Sequence, residues 1–213
     1  MMIYEYLLYA VVILFSITFH EVVHAYVAYL RGDDTAKMSG RITLNPISHI
    51  ELFGSIILPV MLLLMKAPIF AWAKPVPIDY RKLKNPKLDI LLVSLAGPAS
   101  NLLLAFFSGL VIRLAGAFPN FTASFSVSIK HCFFIMIKVN AQLLIINMIP
   151  IPPLDGSKIM AYFLPVELRT KYLNLNPYIG FIILNLVLLS DMTNCIINLI
   201  INLFVIIFSS WTF

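Results

Sequence analysis

Charge is what this chain has least of. Asp, Glu, Lys and Arg make up only 12% of its 213 residues, where soluble domains carry roughly 25%. That scarcity excludes an ordinary soluble surface. A hydrophobic content of 61% and a mean hydropathy of +0.94 point instead to a protein embedded in the lipid bilayer. Cysteine is also scarce. Cys132 and Cys195 lie in or near apolar segments and form no spacing motif, which excludes a disulfide framework. No basic stretch precedes the first apolar run and no small-residue cleavage site follows it, so a removable signal peptide is not expected. The net charge of +5 is no sign of nucleic-acid binding. Its lysines and arginines gather in short loops, as in a multi-pass protein of the cell membrane.

What the chain does have is long apolar runs, one of which carries His20-Glu21-Val22-Val23-His24. The run predicts a first membrane helix over residues 4–30. Two histidines four apart on a helix share one face, one turn apart. That spacing suits two ligands to one zinc ion, with Glu21 beside them to activate a water. Ionisable groups at membrane depth are expensive and mark function by default.

The following segments alternate between polar and apolar. Residues 31–51 are polar and turn-rich, and Arg41–Leu44 alternates. We expect a short β-hairpin, an edge strand able to pair with an extended peptide, or an irregular loop there. Residues 52–65 are apolar but short and interrupted by Pro59, so they span or re-enter. The 66–89 loop is basic and proline-rich. Lys66, Lys74, Arg81, Lys82, Lys84 and Lys87 face only Asp79 and Asp89, which marks it as cytoplasmic. A helix over 90–114 follows, with Gly97-Pro98 near its start and Ser94 and Asn101 as polar positions. A further helix covers 132–149 and leads into Pro-Ile-Pro-Pro-Leu-Asp-Gly at 150–156. A helical hairpin at 178–210 closes the chain. The expected fold is an all-α polytopic membrane protein, a single embedded domain over 1–213. It has five or six membrane segments, with a short β-hairpin or re-entrant element after the first helix.

The charges set the topology. With the 66–89 loop inside, helix 90–114 runs outward and helix 132–149 returns. The first helix meets its first basic residue at Arg31 and so runs inward. His24 and Asp155 therefore reach similar depth toward the cytoplasmic side, provided residues 52–65 enter and leave on one side.

Catalytic zinc takes three protein ligands and keeps one open position. Asp155 is the best third ligand, because the prolines around it fix the backbone and Gly156 lets it turn. His49, Glu51 and His131 are weaker alternatives. Asn147 lies near the end of the same helix and suits a hydrogen-bond donor to an oxyanion or to the substrate backbone. Its other reading is a helix cap.

These pieces resemble the site-2 protease family of intramembrane zinc metalloproteases. The resemblance rests on FHEVVH at 19–24 and NMIPIPPLDG at 147–156, with SGRITLNPISHI, GSIILP, FAWAKPVP and LAGPASNLLLA between them. It runs almost continuously over 19–158 and is closest to the short prokaryotic branch without a PDZ domain. It implies one zinc ion per chain on His20, His24 and Asp155, water activation by Glu21, and substrate handling by Asn147. It also implies single-pass transmembrane proteins or peptides as substrates, cut within the bilayer to release regulators or clear remnants. The chain departs from many members in having no apolar helix before the one that carries HEVVH, and its 66–89 loop has no obvious counterpart in the shortest ones. Two other readings stand beside the protease. One is a metal transporter or sensor using the same ligands without hydrolysis, and the other is a silent membrane scaffold.

Overall fold

The fold is taken from a computed structural model, which describes residues 2–57, 74–117 and 127–175 and isolated positions in 61–64 and 180–207. Helix α1 covers Met2–Leu30, α2 Thr35–Met38, α3 Pro86–Ala117, α4 Val127–Met148, α5 Asp155–Phe163 and α6 Val166–Leu173. Short turns of tighter or wider helix occupy Pro46–His49, Leu52–Ile57 and Tyr80–Lys82. Three helices are long and apolar enough to cross a bilayer, over Tyr4–Leu30, Pro86–Ala115 and Ile129–Met148. At 1.5 Å per residue, about 20 residues suffice for that.

These three helices pack on one another with a set of polar residues inward. Ser16, His20, His24, Ser94, Asn101, Ser108 and Asn140 are buried, while Leu7, Val11, Phe15, Leu103 and Phe107 face outward. A soluble bundle would do the reverse. Lipid solvates the apolar side chains at no cost, and only the bundle interior offers partners to polar groups. Ala25, Ala28, Ala105 and Ala141 have no exposed surface, so small residues line the contacts and bring the backbones close. Val12 of α1 meets Ile135 and Val139 of α4 in an apolar layer.

The start of α3 shows why the chain turns there. Pro86 supplies a fixed φ at the first helical position. The Asp89 carboxylate accepts from the Asn85 N–H at 2.7 Å, and the Asn85 carbonyl accepts from the Asp89 N–H at 2.8 Å. Asp89 has no exposure and also takes Arg31 at 2.6 Å, just past the end of α1. Gly32, at φ +112°, then turns the chain away from α1 as only glycine does comfortably.

The expected hairpin or edge strand at Arg41–Leu44 does not form. These residues are bends and irregular backbone, and no strand occurs among the described residues. Their neighbour is the irregular stretch at 74–79 that contains Pro75 and Pro77. Prolines have no N–H to donate, so a ladder cannot be completed. A side chain makes the link instead, with Arg41 Nη2 donating to the Lys74 and Pro75 carbonyls at 2.8 and 3.4 Å. The count of five or six membrane segments rests on 52–65 and 178–210, most of which lies outside the described residues, as does the start of the 66–89 loop.

Candidate metal centre

His20 and His24 lie one turn apart on α1 and point into the bundle, 6% and 5% exposed. Asp155 opens α5 and is equally buried, at 5%. The two Nε2 atoms stand 2.9 Å apart. Asp155 Oδ2 is 3.2 Å from His20 Nε2 and 2.9 Å from His24 Nε2. Among the described residues these three form the one group able to hold a metal ion.

The surrounding hydrogen bonds decide which atoms face the centre. His24 Nδ1 lies 2.6 Å from the Val93 carbonyl, which can only accept, so Nδ1 carries the proton. For His20 the same conclusion follows along a chain of amides. Asn140 Nδ2 donates to the Met136 carbonyl and to Ser16 Oγ, both at 2.9 Å, which fixes the Asn140 orientation. Its Oδ1 then accepts from Asn101 Nδ2 at 2.9 Å. Asn101 Oδ1 is thereby turned to His20 Nδ1 at 2.7 Å and must accept from it. With both imidazoles neutral, as metal ligation requires, each Nε2 keeps a lone pair close to the Asp155 carboxylate. Three acceptors this close with no proton among them repel unless a cation sits between them. The donor set fits zinc, and the Nδ1 partners are the outer shell that orients histidine ligands.

Glycine makes room for the group. A Cβ on Gly97 would collide with His24 Nε2 and would stand 2.5 and 2.6 Å from His20 Cε1 and Nε2. Gly156 likewise lies against the Met148 and Ile149 carbonyls, which lets α5 fold back onto the end of α4 and bring Asp155 in. Gly180 backs onto the Pro152 carbonyl and supports the proline-rich element from behind. The Pro152–Pro153 peptide is cis.

The other carboxylate oxygen of Asp155, Oδ1, takes Lys158 Nζ at 3.2 Å. The pKa of Lys158 is raised, because Asp155 overcomes the effect of burial on it.

Glu21 lies beside this group rather than in it. It is half-buried, and its Oε2 accepts from the Val76 N–H at 2.9 Å. Asn147 is half-buried on α4, and its amide donates to the Leu143 carbonyl of its own helix at 3.0 Å. His49 is fully buried elsewhere, 2.9 Å from the Thr43 carbonyl, and the Glu51 carboxylate accepts from the Gly54 N–H at 2.8 Å. His131 sits near the start of α4, and none of these three joins the metal-ligating group. Sequence reasoning missed the parts played by Asn140, Ser16 and Val76. The first two carried a signal, being polar groups inside apolar spans, but spacing alone does not name their partners.

The profile of peptidase family M50 matches residues 8–187. "Putative zinc metalloprotease YwhC" of Bacillus subtilis (strain 168) is 42% identical over 174 residues, covering 81% of this chain and 76% of that protein. "Putative zinc metalloprotease Rip2" of Mycolicibacterium smegmatis is 33% identical over 144 residues, covering 67% of this chain and 52% of that protein. No solved structure matches the chain. Nothing in these relatives points to transport. The buried His-His-Asp group, the apolar helices around it and these relatives agree, and the chain belongs to peptidase family M50, the site-2 proteases, as an intramembrane zinc metalloprotease.

Proposed function

We propose that His20, His24 and Asp155 hold one zinc ion per chain, that Glu21 is the general base, and that the substrates are single-pass transmembrane segments cut within the bilayer. The observation that carries this reading is the convergence of His20 Nε2, His24 Nε2 and Asp155 Oδ2 within 3.2 Å of one another, with Glu21 next to His20 in the chain. Zinc, when bound, polarises the scissile carbonyl and makes a water nucleophilic near neutral pH.

The chain's own residues do the rest. Val76 engages Glu21 Oε2, which leaves Oε1 to take a proton from the attacking water and deliver it to the leaving nitrogen. Asn147 takes the role of donor to the substrate backbone, for which its amide exchanges the Leu143 carbonyl for the substrate. A helical substrate has its carbonyls occupied and must unwind locally, so helices weakened by Pro or Gly are cut more readily. The basic loop at 66–89 supports a site toward the cytoplasmic face of the cell membrane.

The test compares the wild type with Glu21→Gln, each co-expressed with candidate single-pass proteins and each analysed for metal after purification. The expected result is a shortened substrate with the wild type alone and zinc in both. Equal cleavage by the two proteins would refute the assignment of Glu21. Full zinc stoichiometry in Asp155→Ala would refute the third ligand.

A further inference from the structure

Residues 74–79 have no regular secondary structure and lie beside the turn of α1 that carries Glu21, and the sequence there is Lys-Pro-Val-Pro-Ile-Asp. Pro75 and Pro77 have no N–H, so the Val76 amide is the single donor between Lys74 and Ile78. It goes to Glu21 Oε2 at 2.9 Å. The Val76 side chain, 8% exposed, packs on Ala25 of α1 and on Ala36, with Ile42 and Ile78 around them. Residues 21 and 25 share one face of the helix. Side chain and amide of Val76 thus grip the same face, one turn apart.

The segment is pinned from outside as well. The Lys74 N–H donates to the His49 carbonyl at 2.9 Å, and Arg41 Nη2 donates to the Lys74 carbonyl at 2.8 Å. At the far end the Asp79 N–H donates to Asp33 Oδ2 at 2.7 Å, and Asp33 has no exposure. Two prolines restrict the backbone between these anchors. A carboxylate on a three-torsion side chain would otherwise sample several rotamers. Here one of its oxygens is tied to a peptide group anchored on both sides.

We propose that Lys74–Asp79 is a strap that positions the base, with Val76 acting through its backbone N–H as a positioning residue for Glu21. This rests on the reading of Glu21 as the base. The strap leaves the metal ligands to their own partners, so loosening it lowers turnover while metal binding and substrate affinity stay as they were.

The experiment uses the full-length, zinc-loaded protein in lipid-containing micelles, with a transmembrane peptide as substrate. It measures kcat, KM and bound zinc for Val76→Pro, Val76→Ala, Arg41→Gln, Arg41→Lys and Glu21→Gln. Proline removes the amide hydrogen, while alanine keeps it and trims the packing. Val76→Pro is expected to lose about 10- to 100-fold more kcat than Val76→Ala, the scale of a small misplacement of a catalytic group. KM and zinc content are expected to hold. Arg41→Gln is expected to lower kcat in the same way, and Arg41→Lys to recover part of it. If Val76→Pro fails to fold, the Arg41 pair decides. Equal kcat in the two Val76 variants overturns the proposal, as does an unchanged kcat in Arg41→Gln or a loss confined to zinc or KM. Full activity in Glu21→Gln overturns the assignment of the base, and the strap's role with it. Normal dependence on Glu21 with no effect of Val76→Pro overturns the strap alone.

Discussion

Gly97 of α3 faces His24 of α1 so closely that a single added carbon would strike the imidazole Nε2. The same carbon would come within 2.6 Å of His20 Nε2. The space that Gly97 leaves without a side chain is thus taken up by both ligand imidazoles. Gly97→Ala is expected to reduce zinc affinity by at least the roughly 100-fold seen when an outer-shell partner is lost. Zinc titration against a chelator measures this, and wild-type affinity would show that the two helices separate freely.

The amide chain behind His20 predicts a graded series. Asn101→Leu removes the acceptor of the His20 Nδ1 proton and is expected to weaken zinc binding about 10- to 100-fold. Asn140→Leu acts one bond further out, by freeing Asn101 to turn, and its effect is expected to be smaller. Ser16→Ala removes the last partner and is expected to do least. The same chelator competition ranks the three, and an inverted order would contradict the relay of orientation.

Asp89 is a buried carboxylate whose charge partner is Arg31. Removing one member of a buried pair costs about 3–5 kcal/mol, because the other is left unpaired in a low dielectric. Arg31 is 36% exposed at its side chain, which puts Arg31→Ala at the lower end. Denaturant unfolding in micelles would show the loss, and a change within error would mean that water reaches Asp89.

At the end of the strap, Asp79 is held by Arg81, whose side-chain hydrogen bond lowers its carboxyl from 3.8 to about 2. A depressed carboxylate contributes stability above its unfolded pKa and loses it as pH falls through the folded value. Asp79→Asn should therefore unfold at a lower temperature than the wild type by an amount constant above about pH 5. That gap should close as pH falls from 3.8 toward 2. A gap that persists at the acid end would mean that the ion pair is not its source.

Much of this site could be read from the residues because the membrane makes polar groups conspicuous. His20, Glu21 and His24 stand out in an apolar helix, and the Pro-Pro-Leu-Asp-Gly element marks Asp155 as a rigid carboxylate. The strand expected at Arg41–Leu44 failed for a reason outside its own sequence. Alternation measures the fit of a pleat, but a ladder needs a partner with free donors, and the neighbouring segment has prolines in their place. The role of Val76 was hidden for a related reason. A backbone N–H carries no residue-type signal, and only the prolines on either side hint that this donor is singular.

The Arg31–Asp89 pair has a consequence that concerns measurement along the bundle axis. Arg31 follows His24 by seven residues, and Val93 follows Asp89 by four, so the pair sits roughly 6–10 Å along the axis from the contact between His24 and the Val93 carbonyl. Two contacts at different heights act as a vernier on the sliding of α1 against α3. A slip of one helical turn, about 5.4 Å, would have to break both at once. The two spans are thereby held at one vertical setting, and a residue inserted between His24 and Arg31 would break that alignment without touching a ligand.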